Sequence, residues 1–220
     1  MASAAFGVAT LPSFGVEAVL QADAYVSAAA PNTNFGAAAK MNVGNGDGAL
    51  LKFSLVSLPA GTTADQVASA SLVVYVSSLP ATGALEAQTV LGKWTEPNVK
   101  YSNLPPVSGP GTGPTATADF AAKYVRFDVT NLVKGWITNS ASNYGVLLVP
   151  ATFATATVAS LDAKEDATSS HAPVLDIELA GPQGPQARRA PRGRKACRGR
   201  RACPAPGGCC SQGCTRGRHP

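Results

Sequence analysis

Glu96, Glu165 and Asp162 are the acids that could serve as paired catalytic carboxylates, because glycoside hydrolysis needs an acid and a base or nucleophile flanking one bond. All three lie in stretches whose other residues read as folding elements, and Glu96, beside Trp94, reads as a turn residue. Hydrolase activity is therefore not expected. Hard oxygen donors have a second use. Asp23, Asp47 in GNGDG, and Asp162 with Glu165 in LDAKED could hold a structural calcium that ties end loops together. No D-x-D-x-D loop supports that site, and Asp65, Asp119 and Asp166 read as ordinary solvated acids.

Other site chemistries are missing from the sequence. The only histidines, His171 and His219, stand at no zinc-ligand spacing with another His or Cys of the first 180 residues. There is no G-x-S-x-G elbow, Walker loop or dinucleotide fingerprint. GNGDGALLKF is glycine-rich but leads into a strand, so no helix N-terminus is offered to a phosphate.

The elements that must position these residues come from a chain of two unlike parts. The formal charge of +5 hides a division at Gly181: residues 1–180 carry all 13 acids against 8 Lys and Arg, about −5, whereas residues 181–220 hold 10 basic residues, no acid and all five Cys. The basic character belongs to the tail, so the foldable part is not expected to bind nucleic acid. Roughly 160 residues remain for one core of ordinary size. No apolar run reaches the ~20 residues of a membrane span. At the start, MASAAFGVATLPSFG has an apolar run and small residues at Ser13 and Gly15, as before a signal-peptidase site, but lacks a positively charged start. Residues 1–16 are read as a truncated signal peptide or a frayed extension.

From residue 17 to 179 the hydrophobic pattern has period two in short runs. EAVLQADAYVS (17–27), ALLKFSL (49–55), ASLVVYVSS (within 69–78), YVRFDV (124–129), YGVLLVP (144–150), ATVASLD (156–162) and PVLDIEL (173–179) all read as strands. In the last, Leu175, Ile177 and Leu179 share one face and Val174, Asp176 and Glu178 the other, the pattern of a half-buried antiparallel strand. PNTNFG, GNGDG, LPAGTT and PPVSGPGTGPT supply the turns. In DVTNLVKGWITN the residues Val129, Leu132, Val133, Trp136 and Ile137 fall at helical spacing, with Asp128 or Thr130 as N-cap and Trp136 expected in the core. The fold class is all-β: a jelly-roll-like antiparallel β-sandwich over 17–180 with one short amphipathic helix.

Six motifs in order give this region a family resemblance: ADAYVSAAAPNTNFG, LLKFSLVSLPAG, ASLVVYVSS, WTEPNVKYSNLPP, FDVTNLVKGWITNSASNYGVLL and LDAKEDATSSHAPVLDIEL. The stretch 19–179 resembles a DNRLRE (disaggregatase-related) domain, a module grouped with carbohydrate-binding modules. The resemblance implies a secreted β-sandwich found beside polysaccharide-degrading enzymes and in bacterial surface proteins, some with collagen-like repeats after it. Members with an assigned role are similar to one another in binding polysaccharide, including acidic polymers such as alginate. Sugar binding by a sandwich needs flat apolar faces and a few fixed polar groups. Trp94 and Tyr101 flank TEPNVK, and Phe35 sits at the tip of PNTNFG. Asn32, Asn34, Asn103, Lys93 and Lys100 are polar neighbours able to donate to hydroxyls or to a uronate. In the opposing reading Trp94 and Phe35 anchor their loops to the core and the lysines are solvated. The functional expectation is a secreted, non-catalytic polysaccharide-binding module in the extracellular space; the alternative is a structural head on a collagen-like surface fibre.

The tail carries the signature of that fibre. After GPQGPQ, Arg189, Arg192, Lys195, Arg198 and Arg201 recur at every third residue, with Ala or Gly at 187, 190, 193, 196, 199 and 202 keeping the same period. A nucleic-acid arm has no reason to hold period three, and the five Cys match no zinc-finger spacing. A collagen-like Gly-Pro-Gln repeat read one base out of frame does: GGC-CCG-CAG-GGC without its first base reads Ala-Arg-Arg, the triplet at 187–189. An intact Gly-x-y stalk would have made a homotrimer, because only Gly fits the axis of the triple helix; as written, the tail is expected to be disordered. The nucleotide sequence across residues 181–201 is expected to place a glycine codon at every third position of the shifted frame, and its absence there would refute the out-of-frame repeat.

Overall fold

A computed structural model of the chain describes residues 13–168 and 171–180. Strand β1 (Ser13–Ser27) is long enough to serve two sheets. Its first part pairs antiparallel with β10 (Val174–Ala180), from Ser13 opposite Ala180 to Ala18 opposite Leu175. Its second part, from Val19, pairs with β3 (Asp47–Ser54), and the register within that ladder shifts between Leu20 and Ala22. Residues 13–16, read in the sequence as the end of a truncated signal peptide or a frayed extension, are part of the sheet, including the Ser13 and Gly15 that resemble a cleavage site.

The first sheet is built on β4 (Val67–Ala81), which pairs with β10, with β7 (Lys123–Asp128) and, further along, with β9 (Val158–Asp162); β2 (Lys40–Val43) then pairs with β9. The second sheet runs from β1 through β3, β8 (Val146–Pro150) and β5 (Gly83–Thr89) to β6 (Thr115–Ala118). Every pairing is antiparallel. Leu72, Val74, Phe127, Leu175 and Ile177 of the first sheet meet Leu51, Phe53, Leu85 and Leu148 of the second in one buried cluster. Each such side chain contributes about 1.5–3 kcal/mol on full burial. The result is the all-β sandwich expected from the alternating pattern.

All seven expected strands are present, and three more join them. β2 and β6 are only four residues long, too short for a period to show. β5 reads GALEAQT because both its faces are buried, and its outward carboxylate is satisfied from within the chain. Glu86, fully buried, accepts hydrogen bonds from the backbone N–H of Gly111 and of Gly113, each at 3.0 Å. The β2–β3 joint is a two-residue hairpin turn: Asn45 and Gly46 both have positive φ (55° and 89°), the geometry that favours Asn-Gly. Gly44 beside it is a close approach, since a Cβ there would lie 2.2 Å from the Thr157 carbonyl oxygen. No helix of the described residues is long and apolar enough to cross a membrane.

The helix α1 (Thr130–Thr138) presses Val133 and Trp136 into the core. Val129 occupies the N-cap position, and Asp128 acts from one residue earlier. Its Oδ1 accepts from the Thr130 N–H (3.0 Å) and the Thr130 hydroxyl (2.6 Å), while Thr130 Oγ1 accepts from the Ala70 N–H of β4 (2.9 Å). The Thr130 hydroxyl and amide hold the Asp128 carboxyl below its ordinary value. A carboxylate with a lowered folded value contributes stability above its unfolded value, and that contribution fades as pH falls through the folded one. Asp128→Ala is expected to lower unfolding free energy by about 1 kcal/mol at neutral pH. The difference from the parent should shrink at acid pH, as read by denaturant titration at both pH values.

Candidate functional site

Residues 90–107 leave β5 and fold over the outer face of the second sheet, closed at the base by a bridge between Val90 and Val107. Val90, Trp94 and Val99 pack there on Ala24, Val26, Leu50 and Leu147, a second core outside the sandwich proper. Trp94 is 8% exposed and its Nε1 donates to the Tyr144 carbonyl at 2.8 Å. Its faces are occupied by the protein, so it anchors the loop and offers no stacking platform. Phe35 is committed in the same way, stacked on Tyr25 with centroids 4.2 Å apart. Asn34 donates to the carbonyls of Glu96 and Val99, each at 2.7 Å, and accepts from the Gly36 N–H, so its amide joins two loops. These three residues of the expected glycan set hold the surface in place from beneath.

Of the others, only Lys93 and Asn103 share one hollow. Lys93, Trp94, Thr95, Asn98, Val99 and Asn103 line an open cleft of about 240 Å³, its floor made by Val99 and the Trp94 edge. Asn103 is fixed by accepting from the Lys100 N–H (2.7 Å) and donating to the Asn98 carbonyl (3.1 Å), and Asn98 donates to Thr95 Oγ1 (2.9 Å). Tyr101, 43% exposed, stands on a short 3₁₀ turn and faces a second hollow of about 270 Å³ whose walls include Val26, Leu104, Leu147 and Val149. Lys100 lies between the two hollows in sequence, and Asn32 is exposed on the neighbouring loop. Thr95, Asn98 and Val99 were not singled out in the sequence, although they lie inside the TEPNVK stretch that Trp94 and Tyr101 bracket.

Of the four acids expected around a calcium, Asp47 and Asp162 lie apart from Asp23 and Glu165. Asp47 belongs to the β2–β3 hairpin. Asp162 lies with Asp166 around Lys40, 2.7 Å from its Nζ, and His171 Nδ1 is 3.2 Å from the other Asp162 oxygen. Asp166, expected to be solvated, is buried and also accepts from the N–H and hydroxyl of Thr168. Asp23 and Glu165 do come together, with Glu96 as the third carboxylate, all within 4.8 Å. At their centre is the Lys164 ammonium, 2.7 Å from Asp23, 2.6 Å from Glu96 and in contact with Glu165. A divalent ion at this point would have to displace it. Glu96 and Glu165, weighed as hydrolytic carboxylates, both hold this lysine.

Asp23 also accepts from the Lys164 backbone N–H at 2.7 Å, and its own N–H donates to Glu96 at 3.3 Å. Burial alone would lower Lys164, but the hydrogen bonds it donates to Asp23, Glu165 and Glu96 outweigh it and hold the ammonium well above the ordinary lysine value. Burial, with the nearby Asp23 charge, pushes the Glu165 carboxyl up. Because the folded value of Lys164 is raised, its contribution is complete below the unfolded value, hence at neutral pH, and is lost only as alkaline pH passes the folded value. Lys164→Met would leave Asp23 buried and unpaired, an expected loss of about 3 kcal/mol of stability. Asp23→Asn, which removes the buried charge, should cost less; equilibrium denaturation of both variants checks the order.

The loop cleft joins apolar residues, Trp94 and Val99, to polar ones, Lys93, Thr95, Asn98 and Asn103. No curated protein matches the sequence. The model of carbohydrate-binding module family 96 matches residues 16–178, nearly the whole sandwich with the loop 90–107 inside it. By that match, the chain belongs to carbohydrate-binding module family 96.

Proposed function

We propose that this domain is a secreted, non-catalytic module that holds a polysaccharide along residues 93–103. The observation that carries this reading is the open cleft rimmed by Lys93, Asn98 and Asn103, with the exposed ring of Tyr101 beside it. Tyr101 supplies a flat apolar face for a pyranose, and the amides supply directed hydrogen bonds to hydroxyls. Neither Lys93 nor Lys100 takes part in an ion pair among the described residues, unlike Lys40 and Lys164. Two ammonium groups without an ion-pair partner, Lys93 on the cleft and Lys100 in the same loop, favour a polymer that carries carboxylates. The loop is fixed before ligand arrives, so little ordering is needed on binding.

Calorimetry of the full chain against neutral and uronate polymers tests this. Tyr101→Ala is expected to weaken binding about five- to tenfold, near 1 kcal/mol. Lys93→Ala should weaken binding of the uronate polymer selectively and reduce its salt dependence. A folded protein that binds no polymer of either kind would end the reading.

A further inference from the structure

The outward face of the first sheet carries an aromatic cluster that the loop site does not use. Tyr124 of β7 and Tyr75 of β4 are directly paired, with ring centroids 5.0 Å apart and 65° between planes. His171 lies stacked on Tyr75 at 3.9 Å and meets Tyr124 edge-on at 5.7 Å. Asp162 fixes the imidazole through Nδ1. The registers of β4 with β7, of β4 with β9 and of β9 with β2 put Tyr124, Tyr75, Asp162 and Lys40 in one row across four strands. At ~4.8 Å between strands Tyr124 and Lys40 are about 14 Å apart, the length of a short oligosaccharide, with Asp162 buried between them as a support for His171 and Lys40. Beside it Ser160 Oγ donates to Asn42 Oδ1 at 3.0 Å, and Ser77 Oγ donates to the Ser160 carbonyl, also at 3.0 Å, so hydroxyl and amide groups extend the row.

The rings contribute little to the core. Tyr124 is 56% exposed, and the inward positions of β4 and β7 are filled by Val74, Val125 and Phe127. We infer that this face is a second carbohydrate-binding surface, one that takes neutral pyranose residues with Tyr124 as its stacking ring. It rests on the glycan-binding role proposed above but not on the loop cleft. The charge of the face decides the sugar class: Lys40 is engaged by Asp162 and Asp166, and Arg126 by Asp176 at 3.6 Å. Among the described residues these outward cations are neutralised, and the carboxylates beside them would repel a uronate; Lys123, opposite the inward Val76 in the register, lies over the Phe120 ring at 4.4 Å and not beside Tyr124.

The test is calorimetry of the full chain with neutral oligosaccharides (gluco-, manno- and xylo-series) and with uronate oligosaccharides, using Tyr124→Ala, Tyr124→Phe and Tyr101→Ala. Tyr124→Ala is expected to weaken a neutral oligosaccharide about tenfold, while Tyr124→Phe, which keeps the ring, stays within about threefold. In a Tyr101→Ala background, Tyr124→Ala should weaken the neutral oligosaccharide by the same factor. If Tyr124→Ala binds every oligosaccharide as the parent does, or the parent binds no neutral one, the second surface is wrong. Loss of uronate binding in Tyr101→Ala would then leave the loop reading standing. Loss of all binding in Tyr124→Ala alone would keep this surface and overturn the loop.

Discussion

A single ammonium holds together parts of the chain that share no strand pairing. Lys164 follows β9, Asp23 lies on β1, and Glu96 sits in the loop over the second sheet, so the contact joins residues up to 141 apart in sequence. A carboxylate as buried as Asp23 needs a compensating charge, and Lys164 meets that need only if the segment after β9 closes onto β1. Glu96 then brings the loop to the same point, and Asn34 pins the loop's carbonyls from the other side. The cleft beside Trp94 has its shape because that loop is held at three places: at this ammonium, at Asn34, and at the Tyr144 carbonyl.

The division between what the sequence disclosed and what it concealed follows from the range of the interactions. The helix and strands such as β7 and β10 were legible because each has one wet and one dry face, a local property that period two or 3.6 records, whereas β3 and β8, buried on both faces at 48–51 and 146–148, were legible as short apolar runs. β5 was not, because Glu86 and Gln88 are buried by a loop from elsewhere in the chain, and a buried carboxylate reads as a solvated one until its donors are known. The same limit applied at the site. The residues of the loop were picked out by type, but Trp94, Phe35 and Asn34 are directed inward by partners at Tyr144, Tyr25 and Val99 that no spacing discloses. The acids were found by type, but Lys164 and Lys40 sort them by tertiary pairing that no spacing discloses. The row of Tyr75 and Tyr124 required a register between strands some fifty residues apart. The expectations for the tail fall on residues 181–220, outside the described residues.

Both surfaces rest on the same economy of motion. Side chain–backbone hydrogen bonds at Asn34, Asn98 and Asn103 fix the loop, and a sheet ladder fixes the two tyrosines. Flat rings with few torsions on rigid supports lose little freedom when a ligand arrives, which suits weak, repeated contacts along a polymer.

The pairing of β1 with β10 has a mechanical consequence. Ser13 lies opposite Ala180, so the chain enters and leaves the sandwich at one point. A force drawing those two ends apart would act on the ladder one hydrogen-bonded pair at a time, the loading geometry of a zip and not of a shear joint. Such a domain resists tension poorly when placed in line between two anchors. Hung from a neighbouring module by a single end, or inserted into a loop of one, it would bear none, and its ligand-facing surfaces would stay folded while the polymer it holds is under strain.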